Sequence, residues 1–509
     1  MPYMMGIDLG TSSLKVIIID TDGNIKAESS KVYQFESPIN GYAEQKTEVW
    51  WSACCDCIRD SLCQLSVPVT EVKGLSFSGQ MHGIIPLDKE KRVIRPAILH
   101  CDARSSEQVS KINTLFQKRN IGDARFNPIY TGFLLTSLQW IKDNEPENYE
   151  KIRYVFLPKD YLKMRLCGEI CSDYSDASAT LAFNIEKGNW SQDIINALGL
   201  PAEIFPECFG TSYVVGRVTK EAAKETGLYE GTIVVNGGGD QVMQAIGNGA
   251  IDPGNATVNI GSSGQVCFQS DKPIWNPTLS TNTFCAYEKG RWIVMGATMS
   301  AGLSLKWFNN IFPGDSYRKL DKEVEKLQPG SGGLIFLPYL NGERTPHVNP
   351  DLSGMFMGLN LNTSRIHLAR AVMEGVTYSL LQCLEICGGL GLYTDELIAS
   401  GGGTRSALWL QMQADIYNMP LKTTVNEEQA CIGAAIIAGF GTGIFSSLKE
   451  ACGKIVKYKE KKYCPNPLNH RIYQDYYRLY KDVYCGIREP LQRVTVLGRR
   501  RESAKDMGA

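Results

Sequence analysis

A strand, a glycine- and hydroxyl-rich turn, and a second strand occur twice in this chain, half its length apart. The first copy is Met4 to Leu9, Gly10-Thr11-Ser12-Ser13 and Lys15 to Asp20. The second is Ala256 to Ile260, Gly261-Ser262-Ser263-Gly264 and Gln265 to Gln269. Two such hairpins in 509 residues predict an internal duplication, with one hairpin in each of two domains. The break is expected around Ile246 to Pro253, giving domains 1–247 and 248–495 and a frayed tail at 496–509. Thr21-Asp22-Gly23-Asn24 is a further turn, and a third strand is expected from Ile25.

Helical patterns follow at Val49 to Leu65, Ala103 to Lys118, Pro158 to Cys167, His367 to Cys387 and Ala407 to Tyr417. Short apolar runs at Val72 to Phe77, Tyr154 to Leu157, Gly231 to Val235 and Leu397 to Ser400 read as strands between them. This alternation indicates an α/β class. Lys and Arg number 53 against 54 Asp and Glu, so the net charge is −1. That balance disfavours a nucleic-acid or membrane-surface partner, both of which reward a basic excess. No apolar run approaches the roughly 20 residues that a spanning helix needs, and Met1-Pro2-Tyr3 is no secretory leader, so a cytoplasmic location is expected. The 16 cysteines then read as small core residues in a reducing compartment. A zinc site at Cys54, Cys55, Cys57 and His82 is disfavoured by its spacing.

Phosphate needs backbone N–H groups that no side chain obstructs. Gly- and Ser-rich turns supply them, and both hairpin turns qualify, although neither is a Walker loop. Asp8 ends the first strand beside its turn. It reads either as an Asx-turn residue or as a carboxylate that holds Mg²⁺ against phosphate oxygens. Lys15 is a candidate cation for the same site. Asp240 follows Gly237-Gly238-Gly239. It reads either as the N-cap of the next helix or as a general base that a small substrate can approach closely. Met81-His82 sits in a strand-end loop, where open α/β sheets gather ligand contacts.

Six segments now bring a family into view. They are Gly6-Ile7-Asp8-Leu9-Gly10-Thr11-Ser12, Ser78-Gly79-Gln80-Met81-His82-Gly83, Leu157-Pro158-Lys159-Asp160-Tyr161-Leu162, Ser172-Asp173-Tyr174-Ser175-Asp176-Ala177, Gly237-Gly238-Gly239-Asp240-Gln241 and Gly342-Glu343-Arg344-Thr345-Pro346-His347. With the run Gly354 to Glu374, they make the chain resemble the FGGY carbohydrate kinases of the actin/Hsp70/sugar-kinase superfamily, over about Met5 to Tyr480. Within that family it is similar to the branch that acts on D-xylulose. The resemblance implies two ribonuclease-H-like domains flanking a cleft, with the sugar mainly on the first and ATP with Mg²⁺ mainly on the second.

It further implies Asp240 as catalytic base, Asp8 as the metal-associated carboxylate, and Met81, His82 and Gln241 as sugar contacts. Thr11, Gly261 and Ser262 would be phosphate contacts, and Gly302, Gly402 and Ser406 would touch the nucleotide. The implied reaction is ATP-dependent phosphorylation of D-xylulose at O5, with another ketose or polyol such as ribulose as the alternative. Actin-like protein-binding switches and a silent sugar sensor are disfavoured by the Gln80 to Gly83 loop and the intact carboxylates. A homodimer is left open. Two places depart from the family pattern: Ser137 stands where a Lys is usual, and His100-Cys101-Asp102-Ala103-Arg104 keeps only the Asp and Arg of the usual Trp-Asn-Asp-x-Arg.

Overall fold

The structure, a computed structural model, describes residues 1–122, 126–314 and 316–506, with side chains as far as residue 498. Its first strand, β1 (Tyr3–Leu9), is apolar nearly throughout because the sheet is covered on both faces. The elements that matter below follow in chain order. In the first half they are β2 (Ser13–Ile19), β3 (Ile25–Val32), α1 (Thr47–Cys63), β4 (Val72–Gly79), α2 (Ser106–Arg119), α3 (Pro158–Cys167) and α4 (Tyr174–Ser178). Next come β5 (Val214–Arg217), β6 (Ile233–Val235), the two-residue β7 (Gly238–Gly239) and α5 (Asp240–Gly247).

The second half supplies β8 (Ala256–Ile260), β9 (Gly264–Ser270), β10 (Asn282–Cys285), β11 (Trp292–Thr298), α6 (Gly302–Ile311), α7 (Tyr317–Val324) and α8 (Arg365–Gly389). It closes with β12 (Leu397–Ser400), α9 (Ala407–Tyr417), β13 (Leu421–Thr423), α10 (Gln429–Gly441) and α11 (Pro467–Asp506). Helix α11 continues to Asp506, within the stretch expected to fray. Residues 499–506 contain no glycine or proline to stop it.

Each half has its own sheet. The first has the order β5-β6-β4-β1-β2-β3, with β7 also paired to β4; the second has β10-β11-β9-β8-β12-β13. In both, an antiparallel triple (β1-β2-β3 or β8-β9-β11) is followed by a strand parallel to the first of them (β4 or β12), and then by a short strand beyond it. The predicted duplication is therefore present over five strands of each sheet, while β5 and β10, at opposite edges, have no counterpart.

Separate cores fill the two halves. The apolar face of α1, including Cys54, Cys55 and Cys57, packs on the first sheet. Helices α8, α9 and α11 pack on the second. A third cluster joins them. Although it follows β13 in sequence, α10 returns to the first half and covers β1 and β4. The approach is so close that a Cβ on Gly6 would lie 2.0 Å from the Cys431 carbonyl oxygen. Helix α10 also crosses α5 tightly, since a Cβ on Gly433 would lie 1.9 Å from the Met243 carbonyl oxygen. Among the described residues, no helix is long and apolar enough to cross a membrane.

Candidate active site

Asp8 lies near the carboxyl end of β1, opposite Lys15 on β2 and Ser78 on β4. Ser78 Oγ donates to Asp8 Oδ1 at 2.6 Å. Burial raises the Asp8 carboxyl, while the Ser78 hydrogen bond and Lys15 pull it the other way. On the far side of β4, Gly238 and Gly239 pair with Ser78 and Gly79. The turn before Asp240 and the end of β1 thus flank one strand, about 10 Å apart at the usual strand spacing.

Gly239 takes the N-cap of α5, so the cap reading of Asp240 does not hold; Asp240 is the first helical residue. Its carboxyl accepts hydrogen bonds from the backbone and side chain of Gln241. Burial first, and the neighbouring Asp8 charge second, push it up to about 7. Both carboxylates and Gln241 remain partly exposed.

Met81 is buried directly beneath this turn. A Cβ on Gly239 would lie 2.8 Å from its Cγ, Sδ and Cε, which explains why glycine precedes the carboxylate. His82 has a left-handed backbone (φ 77°) and stacks on Phe133 with ring centroids 3.8 Å apart. Burial pulls its pKa down to about 3, so the ring is neutral. Nδ1 lies 3.0 Å from the Ala179 carbonyl oxygen, which can only accept, so the proton sits on Nδ1 and Nε2 is left as an acceptor. Residues from the second half reach this surface. The Arg344 guanidinium lies 5.2 Å from the Tyr130 ring centroid and bears electrostatically on His82.

The first turn is held by Tyr33, which the sequence reading passed over, and by Gln80. Tyr33 donates its hydroxyl to Gly10 O at 2.6 Å, and Gln80 Nε2 reaches the same oxygen at 3.4 Å. Thr11 Oγ1 donates to Gln80 Oε1 at 3.3 Å. Lys15 is paired with Glu428, beside the start of α10. The second turn docks the start of α6: Gly302 N donates to Gly261 O at 2.8 Å, and Ala301 N and Leu303 N donate to Ser262 O. Gly261, Ser262, Gly302, Gly402 and Ser406, far apart in sequence, all line one cavity of about 590 Å³. Its volume is in the range of small-molecule sites. Tyr317 and Trp409 supply aromatic wall, and Lys306, Arg318 and Arg405 supply positive charge. Ser406 Oγ caps α9 by accepting from Trp409 N at 3.0 Å.

Three further groups were given no role in the sequence reading. Glu343 accepts from Met299 N and Arg344 N, and burial pushes its carboxyl up to about 8. Asp321 faces the cavity and hydrogen-bonds Ser406. Beneath the Asp240 turn lies a cluster of ionisable side chains around Lys159. Gln80, Lys159 and Glu343 stood inside the quoted motifs, but their partners are remote in sequence. At the two departures, Arg104 is locked to Asp102 and Glu44 and lies over the Tyr42 ring at 3.8 Å, while Ser137 is fully buried in α-helical core.

The family model for the N-terminal domain of the FGGY family of carbohydrate kinases matches residues 3–247, and the model for the C-terminal domain matches residues 256–442. The chain is 36% identical to the xylulose kinase of Bacillus subtilis over 96% of its own length and 98% of the relative's. It is 37% identical to that of Lactococcus lactis, over 96% and 98%. The crystal structure of ligand-bound xylulose kinase from Lactobacillus acidophilus superposes with a TM-score of 0.91 at 25% identity, covering 97% of this chain and all of that one. On these matches, and with its twin sheets, the chain belongs to the FGGY family of carbohydrate kinases.

Proposed function

We propose that this kinase transfers the terminal phosphoryl group of ATP to O5 of D-xylulose, with Asp240 as general base. The observation that carries the reading is the Asp240 carboxyl, pushed to about 7 beside Asp8 and above Met81. A base works best when its pKa lies near the operating pH. Full-length relatives named xylulose kinase support the choice of sugar.

In this reading the sugar lies against Met81 and His82. The bare Nε2 of His82 accepts a hydrogen bond from a sugar hydroxyl, while Phe133 holds the ring in place. Asp240 accepts the proton of the terminal hydroxyl, and Gln241 steadies the carboxylate. The nucleotide occupies the 590 Å³ cavity, with its base toward Tyr317 and Ser406 and its phosphates toward Gly261 and Ser262. Thr11 and the first turn receive the terminal phosphate, and Lys15 adds positive charge from beside Glu428. Asp8 is a hard oxygen donor suited to Mg²⁺, which when bound would offset charge on the phosphate oxygens.

The test is a coupled assay on D-xylulose, D-ribulose and glycerol, with wild type and Asp240→Asn. D-xylulose should give the highest kcat/KM. The variant should lose at least about 10³-fold in kcat while still binding ADP. Equal turnover of all three sugars would sink the substrate assignment, and a near-normal variant would sink the role of Asp240.

A further inference from the structure

Two sequence motifs, Lys159-Asp160 and Asp173-Tyr174-Ser175-Asp176, take no part in the chemistry above, yet their side chains meet in a single buried knot. Lys159 Nζ lies 2.7 Å from Asp160 Oδ1, 2.6 Å from Asp173 Oδ2 and 3.0 Å from Asp176 Oδ2. Lys163 Nζ lies 2.9 Å from Asp160 Oδ1. All five side chains are completely shielded from solvent. Burial opposes every charge here. The surrounding carboxylates nevertheless raise Lys159, and the two ammonium groups lower Asp160. Asp176, desolvated and beside Asp173, is raised well above the ordinary carboxylate range.

Buried ion clusters are poor stabilisers, because well-packed apolar residues of similar volume often do as well or better. Besides capping α4 through Asp173 and accepting from Ser172 Oγ at Asp160, it sends two contacts to the turn that presents Asp240. Lys163 Nζ donates to Asn236 Oδ1 at 2.5 Å, at the turn's leading edge. At its trailing edge, Gly239 N donates to Ser175 Oγ at 2.9 Å. Ser175 Oγ in turn donates to Asp173 Oδ1, whose other oxygen faces Lys159. An acceptor-only carboxylate fixes the direction of the hydroxyl proton, so a lone pair of Ser175 is left for the Gly239 amide.

The stem of Lys159 also packs beneath Gly79, the β4 partner of Gly239; a Cβ on Gly79 would lie 2.8 Å from the Lys159 Cβ. Three successive glycines give the turn no side chains with which to hold itself. Substitutions there are blocked as well: a Cβ on Gly237 would lie 2.2 Å from Phe77 O. Its position comes from its neighbours: β7 pairs with β4, Gly237 N donates to Thr211 O, Asn236 Nδ2 donates to Ser172 O and Gly210 O, and the cluster adds the two contacts above.

We propose that Ser175 is a positioning residue for Asp240, and that the buried Lys159-Asp160-Lys163-Asp173-Asp176 cluster clamps the Asn236 to Gly239 turn from both ends so that the carboxylate meets the sugar hydroxyl. The proposal rests on Asp240 being the base. Its test therefore compares Ser175→Ala, Ser175→Thr and Asp240→Asn in the full-length protein, by steady-state kinetics, thermal melting and ADP titration.

A small displacement of a catalytic group costs up to about 100-fold in rate. Ser175→Ala should lose about 10- to 100-fold in kcat, with the sugar KM moving by less than about threefold and ADP affinity unchanged. Ser175→Thr, which keeps the hydroxyl, should recover most of that loss. If Ser175→Ala turns over within about twofold of wild type while Asp240→Asn is inactive, the clamp is overturned and the base survives. If Asp240→Asn is itself near normal, the fault lies with the base. If Ser175→Ala lowers kcat, sugar affinity and melting temperature together and Ser175→Thr restores none of them, the role is structural and the clamp is likewise overturned. Should Ser175→Ala show no cooperative melt, Ser175→Cys, which keeps bulk but is a weak acceptor, is judged by the same readings.

Discussion

Asp240 has to satisfy two opposed demands. Catalysis needs it ionised, and burial next to Asp8 resists that, which places its pKa at about 7. The sign of the pH effect follows directly. Below about 7 the base is protonated, so kcat/KM for the sugar should fall with an acid limb centred within about one unit of that value, read from initial rates between pH 5.5 and 9. The same shift bears on stability. Between its ordinary value of 3.8 and about 7, the folded state binds a proton that the unfolded state has released. This contribution to stability is full at low pH and is lost as pH rises through the folded value. Asp240→Asn, already expected to be inactive, should therefore melt higher than wild type at pH 8, by about 1–3 kcal/mol of added stability measured in urea. A variant that is dead and less stable at pH 8 would show that the carboxylate is better solvated than its surroundings indicate.

At the scale of elements, the contact between α6 and the second turn carries a clear expectation. A Cβ on Gly302 would lie 2.4 Å from Gly261 O, so even alanine must push the helix off the turn. Gly302→Ala should raise the ADP dissociation constant by about tenfold or more while sugar binding, measured alone by calorimetry, stays the same. Loss of both would mean that the second half had unfolded. The hairpins that frame the two turns were legible in the sequence because their signals are local. Gly10 to Ser13 and Gly261 to Gly264 are turn residues between β-branched runs, and β8 and α9 begin and end where the pattern places them. Long-range facts were not legible. The apolar run from Gly433 to Phe440 announces burial but names no partner, because it is apolar on every side. Nothing beside Lys15 in sequence points to Glu428, and nothing near Ser175 points to Gly239. The N-cap reading of Asp240 failed for a related reason. Gly239, drawn into β7 by its pairing with Gly79, took the cap position first.

For the whole molecule, the telling feature is the route of α10. The chain leaves the first half after α5, builds the second sheet, and comes back to cover β1 and β4 with α10 before rejoining the second half, where Leu421 pairs with Tyr463. Residues 1–247 alone would lack that cover over Met4, Ile17 and their neighbours. Expressed by itself, this fragment should bind a hydrophobic dye and show no cooperative melt, and a sharp transition would contradict that. A duplication of five strands therefore does not amount to two modules that can be cut apart at the midpoint. Whatever ancestral unit was copied, each present half has surrendered its independence, and the seam that a repeat suggests runs through the sequence but not through the solid.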